Sequence, residues 1–75
     1  NRLPVKSSHI KSIGHEGAVL EVEYSSGATY RYNNVGDDDF NAILANNSIG
    51  KGVGRIIHRE GVVGIKLEPD IIELA

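Results

Sequence analysis

Two five-residue stretches near the middle of the chain, Leu20-Glu21-Val22-Glu23-Tyr24 and Ala28-Thr29-Tyr30-Arg31-Tyr32, flank a short Ser25-Ser26-Gly27 segment. Both alternate apolar and polar residues at period two, the pattern of half-buried strands, and the intervening serines and glycine supply a turn. This constrains the chain to a fold built on an antiparallel hairpin. Leu20, Val22 and Tyr24 share one face of the first strand, with Glu21 and Glu23 opposite. Ala28, Tyr30 and Tyr32 share a face of the second, with Thr29 and Arg31 opposite. All three tyrosines of the chain therefore fall on this hairpin. They read either as part of the core or as a stacking platform for a ligand.

The flanking segments extend the sheet. Val5 to Gly14 reads as a first strand, in which the three-residue spacing of Ile10 and Ile13 breaks strict alternation and implies a bulge or a helical turn. Gly14-His15-Glu16-Gly17 reads as a turn. Asp37-Asp38-Asp39 opens a helix, where acids cap free N–H groups and complement the positive end of the helix dipole. Phe40, Ile43 and Leu44 give that helix one apolar stripe. Ile49 to Arg55 has glycine at every second position and reads as a loop. Val62 to Leu67 reads as a last strand stopped by Pro69, and Ile71, Ile72 and Leu74 form an apolar tail. The expected fold is a single α+β domain over residues 1–75: a small antiparallel β-meander of three to five strands with one short helix packed on one face.

Seventy-five residues bury roughly 60% of the surface that the unfolded chain exposes, so the core is thin. With no cysteine there is neither a disulfide framework nor a thiolate metal site. No window approaches the roughly 18 apolar residues that cross a membrane, and the start lacks a signal-peptide pattern. The chain reads as a soluble cytoplasmic protein without membrane attachment. Met is absent even at position 1, which suggests trimming or processing. The net charge of −2 argues against strong non-specific nucleic-acid binding. Cations nevertheless cluster, with Arg2, Lys6 and Lys11 before the first acid and Lys51, Arg55 and Arg59 before Glu60.

Gly50-Lys51-Gly52-Val53-Gly54-Arg55 is the leading candidate for a phosphate site, because glycines let successive amides converge on an anion while Lys51 and Arg55 supply charge. It lacks the Gly-Lys-Ser/Thr end of a Walker A loop and follows a helix, unlike a dinucleotide-binding fingerprint. Tyr30, Arg31 and Tyr32 are a second candidate, with rings to stack on a base and a guanidinium to meet a phosphate. Strand alternation turns Arg31 away from both rings, however. The alternative is that the rings cover the core. His9, His15 and His58 show no metal-ligand spacing, and the triple Asp lacks the calcium-loop pattern. No nucleophile–base arrangement or carboxylate pair points to catalysis, so a non-enzyme without cofactor or metal is expected.

Val5-Lys6-Ser7-Ser8, Ile10, Ser12-Ile13-Gly14, Leu20 to Tyr24, Gly27, Tyr30-Arg31-Tyr32, Val35, the helix with Phe40 and Leu44, and Ser48-Ile49-Gly50 together resemble the KTSC domain. That family is named for its place at the C-terminus of some lysyl-tRNA synthetases and also occurs as small standalone bacterial and phage proteins. The resemblance covers about residues 4–57, leaving a divergent strand and tail over 58–75. Tyr30-Arg31-Tyr32 matches the family's Tyr-x-Tyr motif. Gly52-Val53-Gly54 stands where members usually carry an aromatic pair, and the acidic end replaces an aromatic, basic one. The resemblance implies RNA binding through the synthetase context. A phage member would fit sequestration of a nucleotide signal. The expectation is a non-catalytic binding module for a phosphate-bearing ligand, RNA or a small nucleotide. The alternative is a protein-interaction or self-assembling module, a homo-oligomer held by its sheet edge or tail.

Overall fold

The computed structural model describes residues 2–67. It contains β1 (Arg2–Pro4), β2 (Ile10–Glu16), β3 (Val19–Tyr24), β4 (Thr29–Tyr32), α1 (Asp37–Ala45), α2 (Ile49–Ile57) and β5 (Gly64–Leu67). The strands form one antiparallel sheet whose spatial order is the chain order. The α+β meander is as expected, with five strands. Two helices replace the one expected. The first strand divides into β1 and β2, and β2 runs through His15 and Glu16, which the glycines on either side had suggested as a turn. Pro69 and the apolar tail lie outside the described residues.

Register explains the burial. Leu20 faces Tyr32 and Val22 faces Tyr30, so alternate residues of both hairpin strands share one face. The register slips between Ile10 and Ser12, so the isoleucine spacing marks a bulge rather than a helical turn. That slip lets Ile10 and Ile13 both reach the core, while Ser12 turns away and donates to Glu23 Oε1 at 2.9 Å. The core comprises Ile10, Ile13, Leu20, Val22 and Tyr32 of the sheet with Val35, Ile43 and Val53 from beyond it. On the opposite face Glu21 lies between two arginines, 3.0 Å from Arg31 Nε and 3.4 Å from Arg2 Nε.

α2 is the main departure from expectation. Each interior glycine costs a helix about 1 kcal/mol relative to alanine, which favours the loop reading of residues 50–55. Ile49, Val53, Ile56 and Ile57, however, recur at helical spacing, and all pack on the core. Burial of that stripe outweighs the glycine cost. Ser48 caps the helix by accepting from the Lys51 amide at 3.3 Å. The glycines then serve packing: a Cβ at Gly52 would stand 3.1 Å from Ile43 Cα and 3.2 Å from Ile43 O, so its absence lets α2 lie directly on the α1 backbone. In α1, Ile43 is buried, Phe40 is half-buried, and Leu44 is exposed rather than part of the stripe.

The start of α1 is fastened to the end of α2. Asp39 accepts from the Gly36 amide at 3.0 Å and from both terminal nitrogens of Arg59 at 2.7 Å, and Arg59 also donates to Asn34 O. Arg59 is thus a fastener, not part of a free basic patch with Arg55. His15 adds a second tie: its Nε2 donates to Val35 O at 2.7 Å, and its ring lies parallel to Phe40 with centroids 4.8 Å apart.

The Arg59 hydrogen bonds, helped by the Gly36 amide, hold the Asp39 carboxyl at about 2, against an ordinary 3.8. A carboxyl that is depressed in the folded chain stabilises it fully above the unfolded value. That contribution is lost as pH falls from about 4 toward 2. Arg59→Gln removes the main cause. Its urea midpoint therefore lies below that of the parent at pH 7, and the difference shrinks as pH is lowered through this window.

Candidate functional site

The helices cover the part of the sheet around Ile13, Leu20 and Val22, which are fully buried. Toward the Ser25–Gly27 turn, Tyr24 and Tyr30 are only half-covered. Two open hollows occupy the uncovered region. The first, about 560 Å³, lies between the chain leading into β2 and the start of α2. Lys6, Ser7, Ser8 and His9 line one wall; Asn47, Ser48, Gly50, Lys51 and Gly54 line the other. The second, about 680 Å³, is lined by Tyr24, Tyr30, Tyr32 and Lys66, with Ser25, Ser26 and Ala28 at the turn. His9 and Tyr24 belong to both.

Local hydrogen bonds fix the first hollow. The His9 amide donates to Ser7 Oγ at 3.3 Å, and His9 O accepts from the Ser25 amide at 2.8 Å, joining this segment to the hairpin turn. Across the gap, the Ser48 amide donates to Asn46 Oδ1 at 3.0 Å and so orients the Ser48 cap. A Cβ at Gly50 would lie 3.5 Å from Ser7 Oγ and 3.8 Å from Ser48 Oγ. Two hydroxyls therefore converge on bare helix backbone, and Lys6 and Lys51 line the same hollow.

Aromatic contacts organise the second hollow. Tyr30 meets Tyr24 edge-on at 5.7 Å and lies nearly parallel to Tyr32 at 6.0 Å. The Tyr24 and Tyr32 hydroxyls are 2.8 Å apart, so one hydroxyl donates to the other and the second keeps a free hydrogen. Burial, followed by the hydrogen bond and the nearby Tyr24 and Tyr30, pushes the Tyr32 phenol well above its ordinary 10. Tyr32 is 8% exposed and mainly a core residue, whereas Tyr30 presents more of itself to the hollow.

The residues singled out in the sequence are thus divided. Gly50, Lys51 and Gly54 line the first hollow, and Tyr30 and Tyr32 line the second. Gly52 is buried against α1, Arg31 points to the other face and pairs with Glu21, and Arg55 lines neither hollow. Residues 50–55 form a helix rather than an amide-cradling loop, which removes the physical basis proposed for that segment. Sequence reasoning missed Lys6, His9, Asn47, Ser48 and Lys66 as lining residues. Ser7 and Ser8 read from the sequence equally as hydroxyl donors to a ligand and as a strand-entry turn. The available signal was two hydroxyl-bearing segments, Ser7-Ser8 and Ser48, each within three residues of a lysine. Among the described residues there is no group of three or more acid, His or Cys side chains able to hold a metal, and no helix long and apolar enough to cross a membrane.

The solved structure of a KTSC domain protein from Yersinia pestis superposes with a TM-score of 0.81 at 27% identity, covering 91% of this chain and 97% of the other. An uncharacterized protein of Stutzerimonas stutzeri is 39% identical over 57 residues, 73% of this chain and 80% of its own length. A protein of Tsukamurella paurometabola is 38% identical over 56 residues, 72% and 84% of the respective chains. The KTSC domain model matches residues 6–60, a span that takes in the first hollow and all three tyrosines. The chain belongs to the KTSC domain family.

Proposed function

We propose that this protein is a non-catalytic binding module for a phosphate-bearing ligand, a nucleotide or RNA, and that the first hollow receives the phosphate. The observation that carries this reading is the convergence of Ser7 and Ser48 hydroxyls on the Gly50 backbone, between Lys6 and Lys51. Hydroxyl donors satisfy phosphate oxygens, and ammonium groups neutralise their charge. Gly50 and Gly54, one helical turn apart, leave gaps in the α2 wall between Lys51, Val53 and Ile57 through which an anion can approach the backbone.

The probe is inorganic pyrophosphate, followed by amide chemical shifts. Shifts concentrated at residues 6–9 and 48–51 are expected. Lys6→Ala and Lys51→Ala each weaken binding about tenfold, equivalent to about 1.4 kcal/mol, as expected for loss of one charge-assisted contact. Arg31→Ala and Arg55→Ala change it less than about twofold, a factor worth under half a kcal/mol. Shifts located elsewhere, or an Arg55→Ala loss equal to that of Lys51→Ala, would reject this site.

A further inference from the structure

We propose that the two hollows form one bipartite site for a single nucleoside phosphate, with the base against Tyr30 and Tyr24 and the phosphate between Lys6 and Lys51. This rests on the phosphate reading above and names the ligand class.

Three observations support it. First, the hollows differ in chemistry yet share a wall. One offers hydroxyls and lysines, the other aromatic rings, and His9 and Tyr24 border both. A ligand crossing that wall must carry an anion at one end and a flat, partly apolar group at the other. A nucleoside phosphate has both, separated by one sugar.

Second, the aromatic hollow has the means to hold a base. Tyr30 is half-covered and lines the hollow; one face lies along Tyr32, and the base takes the other. The free hydrogen of the Tyr24–Tyr32 hydroxyl pair and the Ser25 and Ser26 side chains supply hydrogen-bonding groups for base edges. Third, the charge distribution suits one nucleotide better than a strand. A polymer is held by many phosphate contacts and a run of cations. Here the net charge is −2, and Arg2, Arg31 and Arg59 are engaged with Glu21 or Asp39. Lys6 and Lys51 flank the first hollow, and Lys66 lines the second.

Calorimetry with the unmodified protein compares four probes: uridine 5′-monophosphate, ribose 5-phosphate, uridine and an eight-residue oligouridylate. Tyrosine fluorescence is recorded alongside. All three tyrosines border one hollow and the chain has no Trp, so this emission reports on the proposed base site. The nucleotide is expected to bind at least tenfold tighter than ribose 5-phosphate or uridine and to change the emission, which ribose 5-phosphate does not. Tyr30→Ala brings the nucleotide down to the affinity of ribose 5-phosphate and leaves the latter unchanged. The comparison of probes on the parent protein stands without the variant should the variant fail to fold.

Equal binding of nucleotide and ribose 5-phosphate without an emission change overturns the bipartite site while leaving the phosphate reading intact. An oligouridylate more than tenfold tighter than the mononucleotide also overturns it, in favour of a strand-binding surface. Failure of every phosphate-bearing probe to bind overturns both.

Discussion

Gly52→Leu is expected to separate the two helices and cost about 3 kcal/mol or more, at the upper end for overpacking. The neighbours that even a methyl would meet at this position are Ile43 Cα, Ile43 O and Asn46 Cβ, at 3.1–3.2 Å. Backbone cannot rotate aside as a flexible side chain does, so a larger group must push α2 from α1. A chain of this length has roughly 4–11 kcal/mol of stability in total, and the loss is a large part of it. Gly54→Ala supplies the opposite sign in the same helix. A Cβ at Gly54 meets nothing within 4 Å, so only the helix-propensity gain remains, about 1 kcal/mol of stabilisation. Urea melts of the two variants check both. Equal effects from the two would contradict the helix packing.

Gly64→Ala is expected to cost about 1–3 kcal/mol and disturb the tyrosine cluster, although it adds one methyl to an exposed strand position. Gly64 lies opposite Tyr32, and a Cβ there would overlap ring atoms Cε1 and Cδ1. The ring is poorly placed to yield, because its hydroxyl is bonded to Tyr24 and it is 8% exposed. Either β5 moves outward or the cluster shifts. Near-ultraviolet circular dichroism separates this from simple loss of strand propensity, because all three tyrosines lie in the cluster and there is no Trp. A lower urea midpoint with an unchanged tyrosine signal would contradict the proposed contact.

The hairpin was legible because period-two alternation in residues 20–24 and 28–32 coincides with a glycine turn, and Gly27 does adopt a positive φ of 99° there. The Ile10–Ile13 spacing likewise pointed to a bulge or a helical turn, and the structure has the bulge, whose slipped register puts both on the core side. α2 was misread because glycine is a strong local signal, whereas the stripe Ile49, Val53, Ile56 and Ile57 takes effect only when a sheet is there to receive it. Tertiary burial decided against propensity. The site was harder still. Gly50 and Lys51 attracted notice for a loop geometry they do not have, and their partners Lys6 and Ser7 lie more than forty residues away in the sequence. Charge counting misplaced Arg2 and Arg59 for a related reason: their carboxylate partners Glu21 and Asp39 are neighbours through strand pairing and helix docking.

The agreement between strand order and chain order has a kinetic consequence. β2, β3 and β4 meet through connections of a few residues, so their pairing closes only short loops and carries a small entropic penalty. β5 pairs with β4 only after the chain has passed through both helices, and Asn33 and Asn34 hold that return by bonding to Val63 and Gly61. The central meander is therefore the natural nucleus, and the β4–β5 seam is the slowest to close and the first to open. Lys66 sits on that seam. One wall of the aromatic hollow is accordingly completed at the end of assembly, which makes the second hollow a late product of folding, while the core of the sheet forms early.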